Sequence, residues 1–123
     1  PTGGVVAAFL DVARRGDSPT VYGDGRQTRD FVFIDDVVDA LVRSGSRGSG
    51  LVINIGTGEQ TTIIDLWSRV AASVAGAGEI EVCRGPARLH EVQRFAVSPV
   101  RARIHLGWSP WTALDEGLVR SLD

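Results

Sequence analysis

What most constrains this chain is its rhythm. Stretches with helical apolar spacing alternate with short β-prone runs, and turn residues separate them. Val5, Val6, Phe9, Leu10 and Ala13 share one helical face, and Gly16 supplies the stop. Thr20-Val21-Tyr22 is a short β-prone run that breaks at Gly23-Asp24-Gly25. Residues 31–34 read as a buried strand or extended segment. Asp35 or Asp36 is then expected to cap a helix with Val37, Val38, Leu41 and Val42 inward. After a Gly/Ser loop over 44–50, residues 51–55 read as a strand. Thr61 or Thr62 should cap a helix that buries Ile63, Leu66, Val70 and Val74. Residues 79–83 read as a strand, 84–92 as irregular and 93–97 as a further short strand. Ser98-Pro99 opens a helix that stops at Gly107, and a last helix from about Thr112 buries Leu114, Leu118 and Leu122. Helices between strands give an α/β chain in which parallel pairing is expected.

Composition narrows the function classes. An apolar fraction of 43% suits a folded domain, and 123 residues suit one small domain or a piece of a larger one. The formal net charge of -2 points to neither nucleic acid nor an anionic membrane. No apolar run approaches the roughly 20 residues that span a bilayer. The lone Cys83 excludes an internal disulfide and reads as a small core residue on a strand, with a reducing cytoplasm as the natural compartment.

Gly56-Thr57-Gly58-Glu59-Gln60-Thr61 lies between a strand and a helix, the setting of a dinucleotide-binding turn. Glu79 and Glu81 fall near where such motifs carry an acidic ribose ligand. The third glycine, however, is Thr61, whose side chain stands where helix and strand should pack closely. The competing reading is a tight turn in which glycine permits positive φ. Asp35-Asp36 invites a metal reading, but no His or Cys is near, and a helix cap is the simpler account. Trp67 is expected in the core, with Trp108 and Trp111 packing the last helix. His90 is expected at the surface.

Four segments in order resemble the NAD-dependent epimerase/dehydratase family of extended short-chain dehydrogenases. They are Tyr22-Gly23-Asp24-Gly25 running to Arg29-Asp30-Phe31 and on through Ile34-Asp35-Asp36-Val37; Asn54-Ile55-Gly56-Thr57-Gly58; Leu106-Gly107-Trp108-Ser109-Pro110; and Leu114-Asp115-Glu116-Gly117-Leu118. The resemblance covers essentially the whole chain. It implies that residues 1–123 are the C-terminal, nucleotide-sugar-binding part of an extended Rossmann-type fold, with the N-terminal NAD-binding domain absent. It also favours the tight-turn reading of Gly56–Gly58.

The resemblance implies a site as well. Backbone groups of Thr20 and Val21 would read a nucleotide base, and the Tyr22 ring would pack on it. Arg29 would bind the diphosphate, a role that a planar fork of donors suits; its competing reading is an ion pair with Asp24 or Asp30. Arg88-Leu89-His90-Glu91 resembles the family's Arg-x-Gly-Asp/Glu turn. There Arg88 would be a second diphosphate ligand, and Glu91 would accept hydrogen bonds from ribose hydroxyls. His90 replaces that turn's glycine, which puts the loop geometry in question if φ is positive there. Ser98 replaces a capping aspartate and caps comparably.

No catalytic, cofactor-binding or metal-binding residue is assigned. The family's Tyr-x-x-x-Lys pair is absent, since the only tyrosine is Tyr22 and Arg26 stands four residues on. The resemblance implies a UDP- or dTDP-sugar epimerase that uses NAD bound by the missing part to oxidise and re-reduce the sugar at C4. A 4,6-dehydratase, a reductase and a non-catalytic nucleotide-sugar-binding module are the alternatives. The whole protein is expected to be cytoplasmic and homodimeric, and this chain alone inactive. The strand at 51–55 is expected to join the cofactor-domain sheet, so the isolated chain should self-associate there or rearrange.

Overall fold

A computed structural model describes residues 4–74 and 81–122. The order of elements is α1 (Val5–Arg15), β1 (Thr20–Tyr22), β2 (Thr28–Arg29), α2 (Ile34–Ser44), β3 (Thr61–Thr62), α3 (Ile63–Ser73), β4 (Cys83–Gly85), α4 (Val100–Leu106) and α5 (Leu114–Arg120). Helices separate β2 from β3 and β3 from β4, whereas β1 and β2 follow one another without a helix between them. β1 and β4 pair in parallel, with Thr20, Val21 and Tyr22 opposite Cys83, Arg84 and Gly85. β2 and β3 pair antiparallel, with Thr28 opposite Thr62 and Arg29 opposite Thr61.

Two apolar clusters hold these pieces. The larger joins α1, α3, α5 and β1 through Phe9, Leu10, Val21, Leu66, Trp67, Val70 and Leu118. Phe9 meets Trp67 edge-on, with ring centroids 5.4 Å apart, a favoured aromatic geometry. Local signals place α1 and α3 well. Gly16, at φ 72, closes α1, and the Thr62 hydroxyl accepts from the Asp65 N–H to cap α3. The smaller cluster is Ala40, Ala102, Leu106 and Trp108, backed by Val32, Ile53 and Ile55.

Several expectations are corrected. Neither aspartate caps α2, whose N-cap position is Phe33. Its buried face is Asp36 and Ala40, while Ile34, Val38, Leu41 and Val42 are exposed. The reason is Asp36, which is 1% exposed. Its carboxylate accepts from the Trp111 N–H, the Thr112 N–H and the Thr112 hydroxyl, and its carbonyl accepts from the Trp108 indole. That network turns the polar edge of α2 inward. Asp35 instead pairs with Arg120 at 2.6 Å, so the two carboxylates diverge.

Residues 51–55 form no ladder among the described residues, although Ile53 and Ile55 turn inward while Val52 and Asn54 face out. The alternation of a strand is there without a neighbour. Residues 93–97 are likewise not a strand. They run beside β2, but side chains supply the acceptor in two of three hydrogen bonds: the Thr28 N–H donates to the Gln93 carbonyl, the Phe95 N–H to the Thr28 hydroxyl, and the Val97 N–H to Asp30. β4 begins at Cys83 where a strand over 79–83 was expected; residues 79–80 lie outside the described ones, as do residues 75–78 at the expected end of α3. Cys83 is exposed, on a strand whose one ladder partner among the described residues is β1. Trp108 is fully buried, but Trp111 is 56% exposed and contributes its backbone to the packing.

Candidate nucleotide-sugar cleft

A cleft of about 830 Å³ opens between α1, β1, β2 and residues 88–95. Five of the six predicted site residues line it: Thr20, Tyr22, Arg29, Arg88 and Glu91. The side chain of Val21 is fully buried in the larger core. The residue as a whole has no exposed area and is absent from the cleft lining, so its backbone does not open to the cleft here.

β2 and the 88–95 segment set the polar wall. Arg29 donates from Nη1 to the Thr28 and Val92 carbonyls at 2.6 and 2.7 Å, and from Nη2 to Glu91 Oε1 at 3.2 Å. Its ion-pair partner is therefore Glu91, not Asp24 or Asp30. The pair is well shielded, with side chains 28% and 16% exposed. Three of the five guanidinium hydrogens are committed, and two remain for a ligand.

The Arg88 guanidinium lies over the Tyr22 ring, 3.7 Å from its centroid, a cation–π contact. One ring face is thus occupied. Gly85, opposite Tyr22 in the ladder, lets the ring lie close: a Cβ there would come within 2.8 Å of it. His90 has φ 64, the single positive φ outside glycine among the described residues. The turn does require a left-handed residue where this sequence has His. His90 is exposed.

Two residues of the cleft carried no assignment from the sequence. Gln27 is 5% exposed, and its amide donates to the Tyr22 carbonyl at 3.1 Å and to Glu91 Oε1 at 3.3 Å. Asp30 accepts from the N–H groups of Thr57, Gly58 and Val97 and from the Thr57 hydroxyl. Burial opposes the Asp30 charge. The Thr57 hydroxyl and the three amides outweigh it and hold the carboxyl below its ordinary value.

Asp30 also decides the glycine turn. The amides that a phosphate would need at Thr57 and Gly58 already hold a carboxylate from β2's end. A Cβ on Gly56 would sit 2.6 Å from Val97 and 3.0 Å from Asp30. Gly58 has φ 79, with Pro99 beside it. These glycines serve close packing and a left-handed turn. This turn therefore offers no free amides to cradle a dinucleotide phosphate. The described residues contain no cluster of three or more His, Cys, Asp or Glu that would hold a metal ion, and no helix long and apolar enough to cross a membrane.

The α/β architecture with its parallel β1–β4 pair is that of a piece of an extended Rossmann-type, short-chain dehydrogenase fold. Residues 2–56 match the NAD dependent epimerase/dehydratase family, and the chain belongs to it. It is 41% identical over 98% of its length to a UDP-glucose 4-epimerase of Mycolicibacterium smegmatis, and 38% identical over 94% to a dTDP-L-rhamnose 4-epimerase of Burkholderia thailandensis. It spans 38% and 32% of those relatives' lengths. A crystal structure of the Thermotoga maritima UDP-glucose 4-epimerase with UDP-glucose superposes with a TM-score of 0.94 at 34% identity, covering 99% of this chain and 39% of that one.

Proposed function

We propose that these 123 residues are the C-terminal nucleotide-sugar-binding portion of an NAD-dependent epimerase acting on a UDP- or dTDP-sugar. The observation that carries this is the convergence of Tyr22, Arg29, Arg88 and Glu91, from three separate stretches of chain, in one cleft. The 4-epimerase relatives support the reaction class. The cofactor and the acid/base pair are assigned to the remainder of a longer chain, because the residues here fit neither role.

In this reading the backbone of Thr20 and the ring of Tyr22 meet the base. Among the described residues β1 pairs with a strand on one side only, and its Thr20 and Tyr22 line the cleft. The uncommitted donors of Arg29 and the guanidinium of Arg88 meet the diphosphate, charge against charge in a half-enclosed cleft. Glu91 receives ribose hydroxyls. The part played by these residues is binding and orientation: gripping the nucleotide leaves the sugar free to present either face to the redox centre.

Calorimetric titration with UDP tests the assignment. Binding should weaken at least tenfold on Arg29→Ala, since a charge-assisted contact contributes about 1.5–3 kcal/mol. Arg88→Ala should weaken it similarly. Unchanged affinity in both variants would overturn the site. The whole protein is proposed to be a homodimer, which sedimentation of the full-length chain checks.

A further inference from the structure

Gln27 is buried at a place where a purely structural residue would have all of its polar atoms satisfied. Its amide nitrogen faces a carbonyl and a carboxylate, the Tyr22 oxygen and Glu91 Oε1. Both accept and neither donates, so the amide must present its NH2 to them, and the orientation of the group is settled. Its Oε1 then has no partner among the described residues. Among the described residues no side-chain oxygen is both sealed from solvent and unbonded, so the small exposed area of Gln27 includes that atom. Gln27 lines the cleft. An acceptor thus opens into it.

Glu91 repeats the pattern. Its Oε1 takes both the Gln27 amide and the Arg29 guanidinium, and its Oε2 takes neither. The two side chains are joined by a 3.3 Å hydrogen bond, and each carries one acceptor oxygen without a partner among the described residues. Such a pair matches two adjacent hydroxyls. The order of contacts says which ones. Gln27 is bonded on one side to Tyr22, and on the other to Glu91, which is bonded to Arg29. Base strand, acceptor pair and guanidinium follow the order base, ribose, diphosphate.

We propose that Gln27 Oε1 and Glu91 Oε2 together read the 2′,3′-diol of a ribose, so that the cleft selects a ribonucleoside diphosphate over its 2′-deoxy counterpart. This rests on the cleft being the nucleotide site and goes beyond it: Gln27 becomes a specificity-determining residue, and a UDP-type ligand is favoured over a dTDP-type one. A 2′-deoxynucleotide leaves one of the two acceptors unmatched, and a buried acceptor without a donor is costly.

The test compares UDP with 2′-deoxy-UDP, which differ only in that hydroxyl, by calorimetry on the chain at the full length its reading frame encodes. UDP should bind at least tenfold tighter, the lower end for a hydrogen bond to a charged or buried acceptor. Gln27→Lys keeps a donor toward Tyr22 and Glu91 but removes the acceptor, and it should cut the UDP preference to within about threefold. Gln27→Met, neutral and of similar length, should do the same. The preference is a ratio, so a general change in affinity does not mimic it. Equal binding of the two nucleotides by the unaltered protein overturns the proposal without any variant, and so does a preference that survives in both variants. Failure to bind either nucleotide would instead sink the nucleotide-site reading itself.

Discussion

At the residue scale, two aspartates do similar work in different places. Asp36 gathers two backbone amides, a hydroxyl and, through its carbonyl, an indole, and so ties α2 to residues 108–112. Asp36→Ala should cost about 2–4 kcal/mol in urea denaturation, because several buried donors lose their acceptor at once. Asp30 binds three amides and a hydroxyl near the cleft. Its carboxyl is held below the ordinary value, so it contributes stability above the unfolded pKa of ~3.9 that is lost as pH falls through the lower folded one. Thermal melts between about pH 5 and pH 2.5 should show Asp30→Asn losing less stability on acidification than the parent chain. At His90 the sign is opposite. Its positive φ costs a non-glycine residue about 1 kcal/mol, partly offset by glycine's greater unfolded-state freedom. His90→Gly should raise stability by up to ~1 kcal/mol, read from the denaturation midpoint.

At the element scale, local signals and long-range contacts divide the credit. α1 and α3 are legible because apolar spacing, a capping Thr62 and a terminating Gly16 all lie within or beside the helix they define. α3 is the centre of the larger core, with Leu66 and Val70 fully buried. Leu66→Ala should cost about 2–5 kcal/mol. α2 is different. Its apolar residues fall on a helical face, yet that face points outward, since a partner 72 residues away captured Asp36. β2 also could not be read alone. It is two residues long, and its neighbour over 93–97 is held by the Thr28 hydroxyl and the Asp30 carboxylate, which no strand pattern anticipates.

At the scale of the molecule, the exposed face of α2 adjoins further exposed apolar residues. Ile34, Val38, Leu41 and Val42 are open, as are Leu51 and Val52 at the start of the unpaired 51–55 segment. An apolar surface of this kind is unusual on a monomer. The 123-residue chain by itself should therefore self-associate at high concentration. Leu41→Glu with Val52→Glu should shift it toward monomer in analytical ultracentrifugation, with little loss of fold. A clean monomer of the unaltered chain across the concentration range would contradict this.

The division between sequence and tertiary structure follows from distance along the chain. Periodicity, caps and turn glycines act over a few residues, so the sequence by itself determined the helices, the stops at Gly16 and Gly107, and the core role of Trp67. Motifs in a fixed order also marked the residues that meet in the cleft. Only the fold decided which acceptor each distant amide would find. It sent Asp30 to the Gly56–Gly58 turn, 27 residues on, and so filled the one spot that resembled a phosphate site. It paired Arg29 with Glu91, 62 residues away, and turned the Gln27 amide nitrogen to the Tyr22 carbonyl and Glu91. Hydrogen-bond partners across such separations are fixed by how the elements pack, and that information is spread over the whole chain.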